Sequence, residues 1–531
     1  MATYGSGSGY SNEDEDQTAS SLYKELESRR QPFLDRARDC SRLTIPGVLP
    51  PTAHGKHSRL ATPFQSLGAR GVNNLASKLL LTLLPPNTSF FRLAVSPGQM
   101  SEIGGAEVQA EVEASLAQME REVMNEIETT GIRVQMFEAI KHLLVTGNAL
   151  IYSMDEGGVR LFHLDSYVVE RDPVGNLLTI ITKEEVAPKA LPPEMLELIK
   201  GKLNQTEKSV EVYTCVHRQE GGDFKIWQEC GGVKVEGSDG IFKEGSLPFL
   251  ALRLSTISNE DYGRGVCEEY MGDLRSLESL TKSIVEGAAA SSRVIFLVNP
   301  NGTTRARVLA ESPNGSIREG NAADVSTLQV NKASDFRVAL ETIGQIRERL
   351  MHAFLLNSSV QRQAERVTAE EIRYMAQELE QALGGVFSVL SSEMQMPLVT
   401  IIMDRLTKSG AIPKLPKGLV RPKIVTGLEA LGRGQDLNRL DIFISGAMQT
   451  LGPEAILKYL NMADYLTRRA TAVGIDTEGL IRSEEEVQQQ EQQMMQQQQM
   501  MQMAEKLGPS AITAASKNAQ QQPQQPTEEQ Q

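Results

Sequence analysis

The sequence predicts an α+β fold, predominantly helical, and three observations carry the prediction. Apolar residues recur every three or four positions from Leu22 to about Leu150 and again from Val266 onward, the spacing of helices with one buried face. From Ile151 to Leu254 the period falls to two, in short runs separated by Gly-Gly or Gly-Asn pairs, as in strands joined by tight turns. Beyond Gly265, two helical patterns of similar length bracket a short strand-type insert, which makes a stalk with a small head.

In order, residues 1–20 are Gly, Ser and acid, too poor in apolar groups to offset ordering entropy, and are expected to be disordered. Order is expected from Ser21. Leu22, Leu26, Phe33, Ala37, Cys40 and Leu43 fall at helical intervals, interrupted at Pro32 and ended by Pro46. A second helix, in PFQSLGARGVNNLASKLLLTLLPP, buries Leu67, Val72, Leu75, Leu79 and Leu83, and Gly68 and Gly71 at its start predict close packing against a neighbour. Two further helices fill 104–150, the second apolar enough to be buried. Strand-type runs such as LLTIITKEE, VEVYTCVHRQ and FLALRLS complete an α+β unit over residues 21–260.

In the second half, VCEEYMGDLRSLESLTKSIVEGAAASS carries Val266, Tyr270, Leu274, Leu277, Ile284 and Ala288 along one stripe, a helix of roughly 39 Å. VIFLVNP and Arg-rich turns follow, then FRVALETIGQIRERLMHAFLLNS repeats the pattern through Ile343, Ile346, Leu350 and Phe354 for roughly 31 Å. That helix ends at Leu355 and Leu356, and a new one is predicted from a capping box in which Glu371 reaches back to the Thr368 amide. The polar loop between carries Gln361, Arg362, Gln363, Glu365 and Arg366. By composition it reads as a surface connection of mixed charge. In a ring of identical subunits, however, one arginine becomes a belt able to touch phosphates without base specificity. The pattern over 369–408 is the longest helix, weakened at Pro397 and at Gly384 and Gly385, where glycine costs about 1 kcal/mol per residue against alanine and a bend is expected. A Pro-rich linker leads to a smaller helical unit ending near 482, and the Gln- and Met-rich tail over 483–531 is expected to be partly helical, then disordered.

The residues offer no positive case for an enzyme. Gly55, Lys56 and Ser58 fail as a phosphate loop, with Pro50 where the first glycine belongs and His57 directly after the lysine. GLEALGRGQD follows no credible strand-helix unit, and the six histidines never recur at metal spacing. Neither metal nor cofactor is expected. The four cysteines are scattered and read as reduced thiols. No uninterrupted apolar run approaches bilayer length. A formal charge of -14 opposes general nucleic-acid affinity, so any DNA contact must be local or weak.

Six strings, LESRRQPFLDRARDCSRLTIPGVLP, ARGVNNLASKLLLTLLPP, LDSYVVERDPVGN, YGRGVCEEYMGDLRSLESL, ERVTAEEIRYMAQELEQALGGVFSVLSSEMQMPLV and TGLEALGRGQDLNRL, resemble in order the portal, or head-to-tail connector, proteins of short-tailed, podovirus-type bacteriophages. The resemblance runs from about Ser21 to Ile481 and weakens at both ends. It implies a phage portal fold: a wing at 21–260, stem helices at 261–292 and 337–357, a β-rich clip at 293–336, a tunnel loop at 358–368, a long bent wing helix at 369–408 and a helical crown at 409–482.

The resemblance also implies a homo-oligomeric ring, a dodecamer, at one capsid vertex of the virion, assembled in the bacterial host cytoplasm. Double-stranded DNA would enter through it during packaging and leave during ejection. Terminase and then a tail adaptor would dock on the clip, with scaffolding, internal core and major capsid proteins as further partners. No small-molecule substrate, membrane or enzymatic activity is implied. Arg362 and Arg366 become candidates for the narrowest belt, Gly384 and Gly385 for a hinge coupled to the loop, and Arg305, Arg307 and Arg318 for partner contacts on the clip. The competing reading is a tail adaptor or scaffold ring with no DNA in its lumen.

Overall fold

Thr18 starts the first helix, its Oγ1 accepting the Ser21 amide at 3.3 Å, and α1 (Ala19–Leu43) follows. In this computed structural model the described residues are 18–52, 58–86, 89–95, 106–199, 209–292, 295–328, 333–356, 378–379, 382–383, 385–413, 420–424, 442–450, 452 and 465–466. The helix begins two residues before the expected Ser21 because Ala19 is itself core, its amide donating to Glu229 Oε1 at 2.7 Å. Nor does Pro32 interrupt it, contrary to expectation. The buried Arg30 donates to Tyr23 Oη and the Leu164 carbonyl on one side of the proline, and Leu34 packs on the other, so tertiary contacts offset the lost backbone bond. Along its length α1 joins three clusters: Tyr23 and Leu26 in one, Leu34 and Ala37 in a second, Cys40 and Leu43 in the largest.

The largest core is built by α2 (Leu67–Leu83), β1 (Phe91–Val95), α3 (Ala106–Thr129) and α4 (Ile132–Thr146). The Gly68 and Gly71 expectation is met. A Cβ would stand 2.8 Å from the Leu43 carbonyl at Gly68 and 2.5 Å from the Phe354 ring at Gly71. On α4, His142 meets His163 edge to face at 5.0 Å, and burial, with His163 beside it, pushes His142 down to about 3, so it stays neutral.

After α4 come β2 (Asn148–Ser153) and β3 (Val159–Phe162), then β4 (Tyr167–Arg171), β5 (Leu177–Val186), α5 (Pro193–Ile199), β6 (Val210–Arg218), β7 (Phe224–Cys230), β8 (Val233–Lys234), β9 (Gly240–Phe242) and β10 (Phe249–Arg253). A three-stranded sheet runs β10-β2-β3; a six-stranded sheet runs β4-β5-β6-β7-β8 with β9 also on β7, all antiparallel. Val168, Ile181 and Cys215 face the N-terminal part of α1, whereas their neighbours Val169, Ile180 and Val216 face the second cluster, so period two buries both faces.

The stalk is two antiparallel helices. The expected first helix is divided at Tyr270 into α6 (Val266–Glu269) and α7 (Met271–Ser291). The second, α9 (Ala333–Ala353), starts four residues before the expected 337. Leu274 and Leu277 pack with Ile346, Leu350 and Phe354 in the large core, Arg349 pairs with Asp273 at 2.8 Å, and near the head a Cβ on Gly287 would strike Phe336 at 2.7 Å. In the head, among the described residues, β11 (Ile295–Val298) and β12 (Val325–Leu328) form one antiparallel pair with α8 (Ala306–Ala310) between them in sequence.

Next come α10 (Val386–Leu390), a π-helical turn over Ser391–Gln395 and α11 (Met396–Ser409), which accepts Pro397 in its first turn. Val386–Ser409 is long and apolar enough by composition to cross a membrane. Here Leu390, Met394, Leu398, Val399 and Ile402 are instead buried in the large core. Glu393, on the π turn, receives the Arg253 backbone amide at 2.9 Å and its Nε at 3.0 Å, with Arg171 Nη1 at 3.9 Å. Burial lowers the Arg171 pKa from its ordinary value, and Glu393 opposes that shift. Finally β13 (Val420–Ile424) pairs antiparallel with β1, within the unit 1–430. A second unit covers 431–531; its described part includes a helix over 442–450.

Candidate functional site

The loop arginines Arg362 and Arg366, with Gln361, Gln363, Glu365 and the capping box, lie outside the described residues, but both approaches to them are described. On the incoming side α9 closes with Leu355 at φ 51, its amide bonded to the His352 carbonyl at 3.1 Å and the Leu356 amide to the Met351 carbonyl at 2.8 Å. This is a Schellman ending, with leucine where glycine is usual. The left-handed backbone is unfavourable for leucine by about 1 kcal/mol, so the turn is held from outside. Phe354 is fully buried, its ring filling the space left by Gly71.

Two polar side chains of α2 hold the turn. Asn74 Nδ2 donates to the carbonyls of Phe354 and Leu355 at 3.0 and 3.1 Å, and Lys78 Nζ donates to the Leu355 carbonyl at 3.0 Å. The same ammonium pairs with Glu378 Oε2 at 3.1 Å on the outgoing side, next to the fully buried Leu379. One nearly buried lysine therefore ties both ends of the 357–377 connection to one helix. Sequence reasoning missed Lys78 and Asn74. The available signal was a charge and an amide one helical turn apart, on a helix that also carries Leu75, Leu79 and Leu83.

Of the hinge pair, Gly384 lies outside the described residues. Gly385 is right-handed at φ -66, directly before α10, with nothing within 4 Å of a Cβ there. At the stalk base, Gly147 at φ 79 leaves no room for a side chain, since a Cβ would sit 2.5 Å from the Arg264 backbone. Asn148 exchanges two hydrogen bonds with the Gly263 backbone, at 2.9 and 2.7 Å, locking the YGRG string against β2.

The structure places Arg305, Arg307 and Arg318 together on the exposed head. Arg307 pairs with Glu311 at 2.9 Å along α8, and Arg318 Nε donates to Ser312 Oγ at 3.1 Å. Asp324 is occupied internally: the Thr304 amide and Thr303 hydroxyl bond its carboxylate and hold it below its ordinary pKa, the Thr304 amide contributing most. Around them Ile295, Phe296, Leu297 and Ile317 are exposed, Ile317 at 98%. Among the described residues no group of three or more His, Cys, Asp and Glu is arranged to hold a metal ion, and all four cysteines are free and buried. Burial pushes the Cys40 thiol up to about 12.

Comparison with known proteins gives a consistent picture. The model of the family described as bacteriophage head to tail connecting protein matches residues 16–481. The portal proteins of Enterobacteria phage T3 and Escherichia phage T7 are each 42% identical to the chain, over 476 and 477 residues, covering 88% of it and 89% of each relative. That of Enterobacteria phage SP6 is 31% identical over 471 residues, covering 88% and 90%.

Proposed function

Because the chain belongs to the bacteriophage head to tail connecting protein family, with relatives in podovirus-type phages, we propose that it is the subunit of a ring at the head-tail junction, the channel for DNA. The observation that carries this reading is 42% identity sustained across nearly the whole of both chains. In the finer reading the ring is a dodecamer at one capsid vertex. Residues 21–260 and the long bent helix over 369–408 serve as wing, 261–292 and 337–357 as stem, 293–336 as clip, 358–368 as tunnel loop and 409–482 as crown. Terminase and then tail adaptor dock on the clip, and scaffolding, core and capsid proteins surround the rest. The ring itself is structural, and hydrolysis belongs to the docked motor.

Physical features support this arrangement. Val285, Val338 and Leu340 are exposed on the stem of a single chain, and such apolar surface is what neighbouring subunits cover. With a formal charge of -14, a mainly acidic channel would let phosphates slide where a basic one would hold them by many counterion-releasing contacts. Electron-microscope images of the purified protein are expected to show rings with an axial hole wide enough for duplex DNA. Globular monomers, or rings without such a hole, refute the reading.

The belt and hinge are tested in assembled particles. Arg362→Ala with Arg366→Ala is expected to leave rings intact while packaged DNA leaks; loss of ring assembly would make both arginines structural. In the same assay Gly384→Ala with Gly385→Ala is expected to stiffen the helix and alter packaging and ejection rates. Unchanged rates would separate hinge from loop.

A further inference from the structure

Between α8 and the segment 318–325 the head carries an open cleft of about 300 Å³. Its apolar walls are Val308 and Leu309 on one side and Ala322 and Val325 on the other. Arg305, Arg318 and Glu319 supply the charged groups of the lining. The two walls are braced. Thr304 Oγ1 accepts the Asn321 amide at 2.8 Å and lies 3.2 Å from the Asn321 carbonyl, to which it donates, while Gly320 lies so close that a Cβ would stand 2.9 Å from Thr304 Oγ1. The cleft therefore belongs to the folded head and does not arise from loose side chains.

Its charge is selective. Of the head's acids, Glu311 is engaged by Arg307, and Asp324 by Thr303 and Thr304, which leaves Glu319 as the acid in the lining against two guanidinium groups. Among the described residues Arg318 makes one bond, through Nε to a neutral hydroxyl, which leaves the donors of its terminal nitrogens for another group. A planar guanidinium at the edge of an apolar slot suits a carboxylate, which it binds with two parallel hydrogen bonds. Duplex DNA is a poor occupant because its exterior is sugar and phosphate and its thymine methyls lie within the major groove.

We propose that this cleft is a specificity pocket for a protein partner of the ring, taking one branched or aromatic side chain flanked by an Asp or Glu whose carboxylate meets Arg305 and Arg318. The inference rests on the head being the docking end. Exposed Phe296 and Ile317 then supply surrounding contact, while the cleft fixes register. Interfaces of this kind concentrate their energy in a few anchored side chains.

The test uses assembled rings of the full chain and measures binding of purified terminase and of purified tail adaptor by surface plasmon resonance. Val308→Asp, which puts a carboxylate into the slot, and Arg305→Glu with Arg318→Glu are each expected to weaken at least one partner tenfold or more. Arg305→Lys with Arg318→Lys is expected to weaken it less. Ile317→Asp, outside the cleft on the same head, separates the two levels of inference. If Ile317→Asp weakens binding while the cleft variants do not, the head docks partners and the cleft proposal is wrong. If none of them changes binding, the docking assignment of the head fails as well. If the cleft variants instead prevent ring formation, the occupant is a neighbouring copy of this chain, and the proposal is overturned.

Discussion

Glu393→Gln is expected to lower stability by about 3 kcal/mol, the scale on which removing one partner of a buried ion pair leaves the other uncompensated. The substitution keeps shape, removes the charge and turns one of the two acceptor oxygens into a donor. Arg253 and Arg171, with nearly buried side chains, then lose the carboxylate that faces both. Because Glu393 sits on the π turn and bonds the backbone of β10, the loss also frees the middle of the Val386–Ser409 helix. Urea midpoints of rings at fixed protein concentration provide the measurement, since association contributes to apparent stability. A change below about 0.5 kcal/mol, the level of a surface substitution, would mean that solvent reaches the pair and screens it.

Lys78→Met is expected to cost about 2 kcal/mol locally, less than the first because Asn74 still satisfies the Leu355 carbonyl and Glu378 is partly exposed. Methionine preserves the stem of the side chain and deletes the ammonium. Its effect should be confined to the two ends that the ammonium joins. Hydrogen exchange is expected to rise in peptides covering 350–356 and 378–383, with the six-stranded sheet unaffected. Lys78→Arg should restore much of the protection by keeping the charge. Uniform loss across the molecule would instead make Lys78 a general core residue, with no special relation to the connection.

The fold was most legible where one local rule sufficed. Alternation in β4, β5 and β6 and the three-to-four spacing in α7 and α9 marked strand and helix correctly, and Gly68 and Gly71 marked a close approach before its partner was visible. Local rules failed where distant contacts decided. Pro32 should break a helix, but Arg30 and Leu34 hold α1 continuous past it. The β1–β13 pair escaped notice because each strand is short and Pro422 argues against a ladder, although here it faces Leu93 in a two-stranded sheet where both strands are edges. At the candidate site, sequence pointed to the arginines of the connection and missed the lysine that anchors it. Spacing identifies a loop but cannot reveal which distant side chain will meet both of its ends.

Strand β1 also sets a clock. Its partner β13 is encoded more than three hundred residues later, and at about 5–20 residues per second a ribosome needs roughly 15–60 seconds to cover that interval. Throughout that time β1 is without its partner strand on the nascent chain. Subunits competent to join a ring therefore form only after most of the chain has been made, and truncated products ending before Val420 lack the last strand of the first unit.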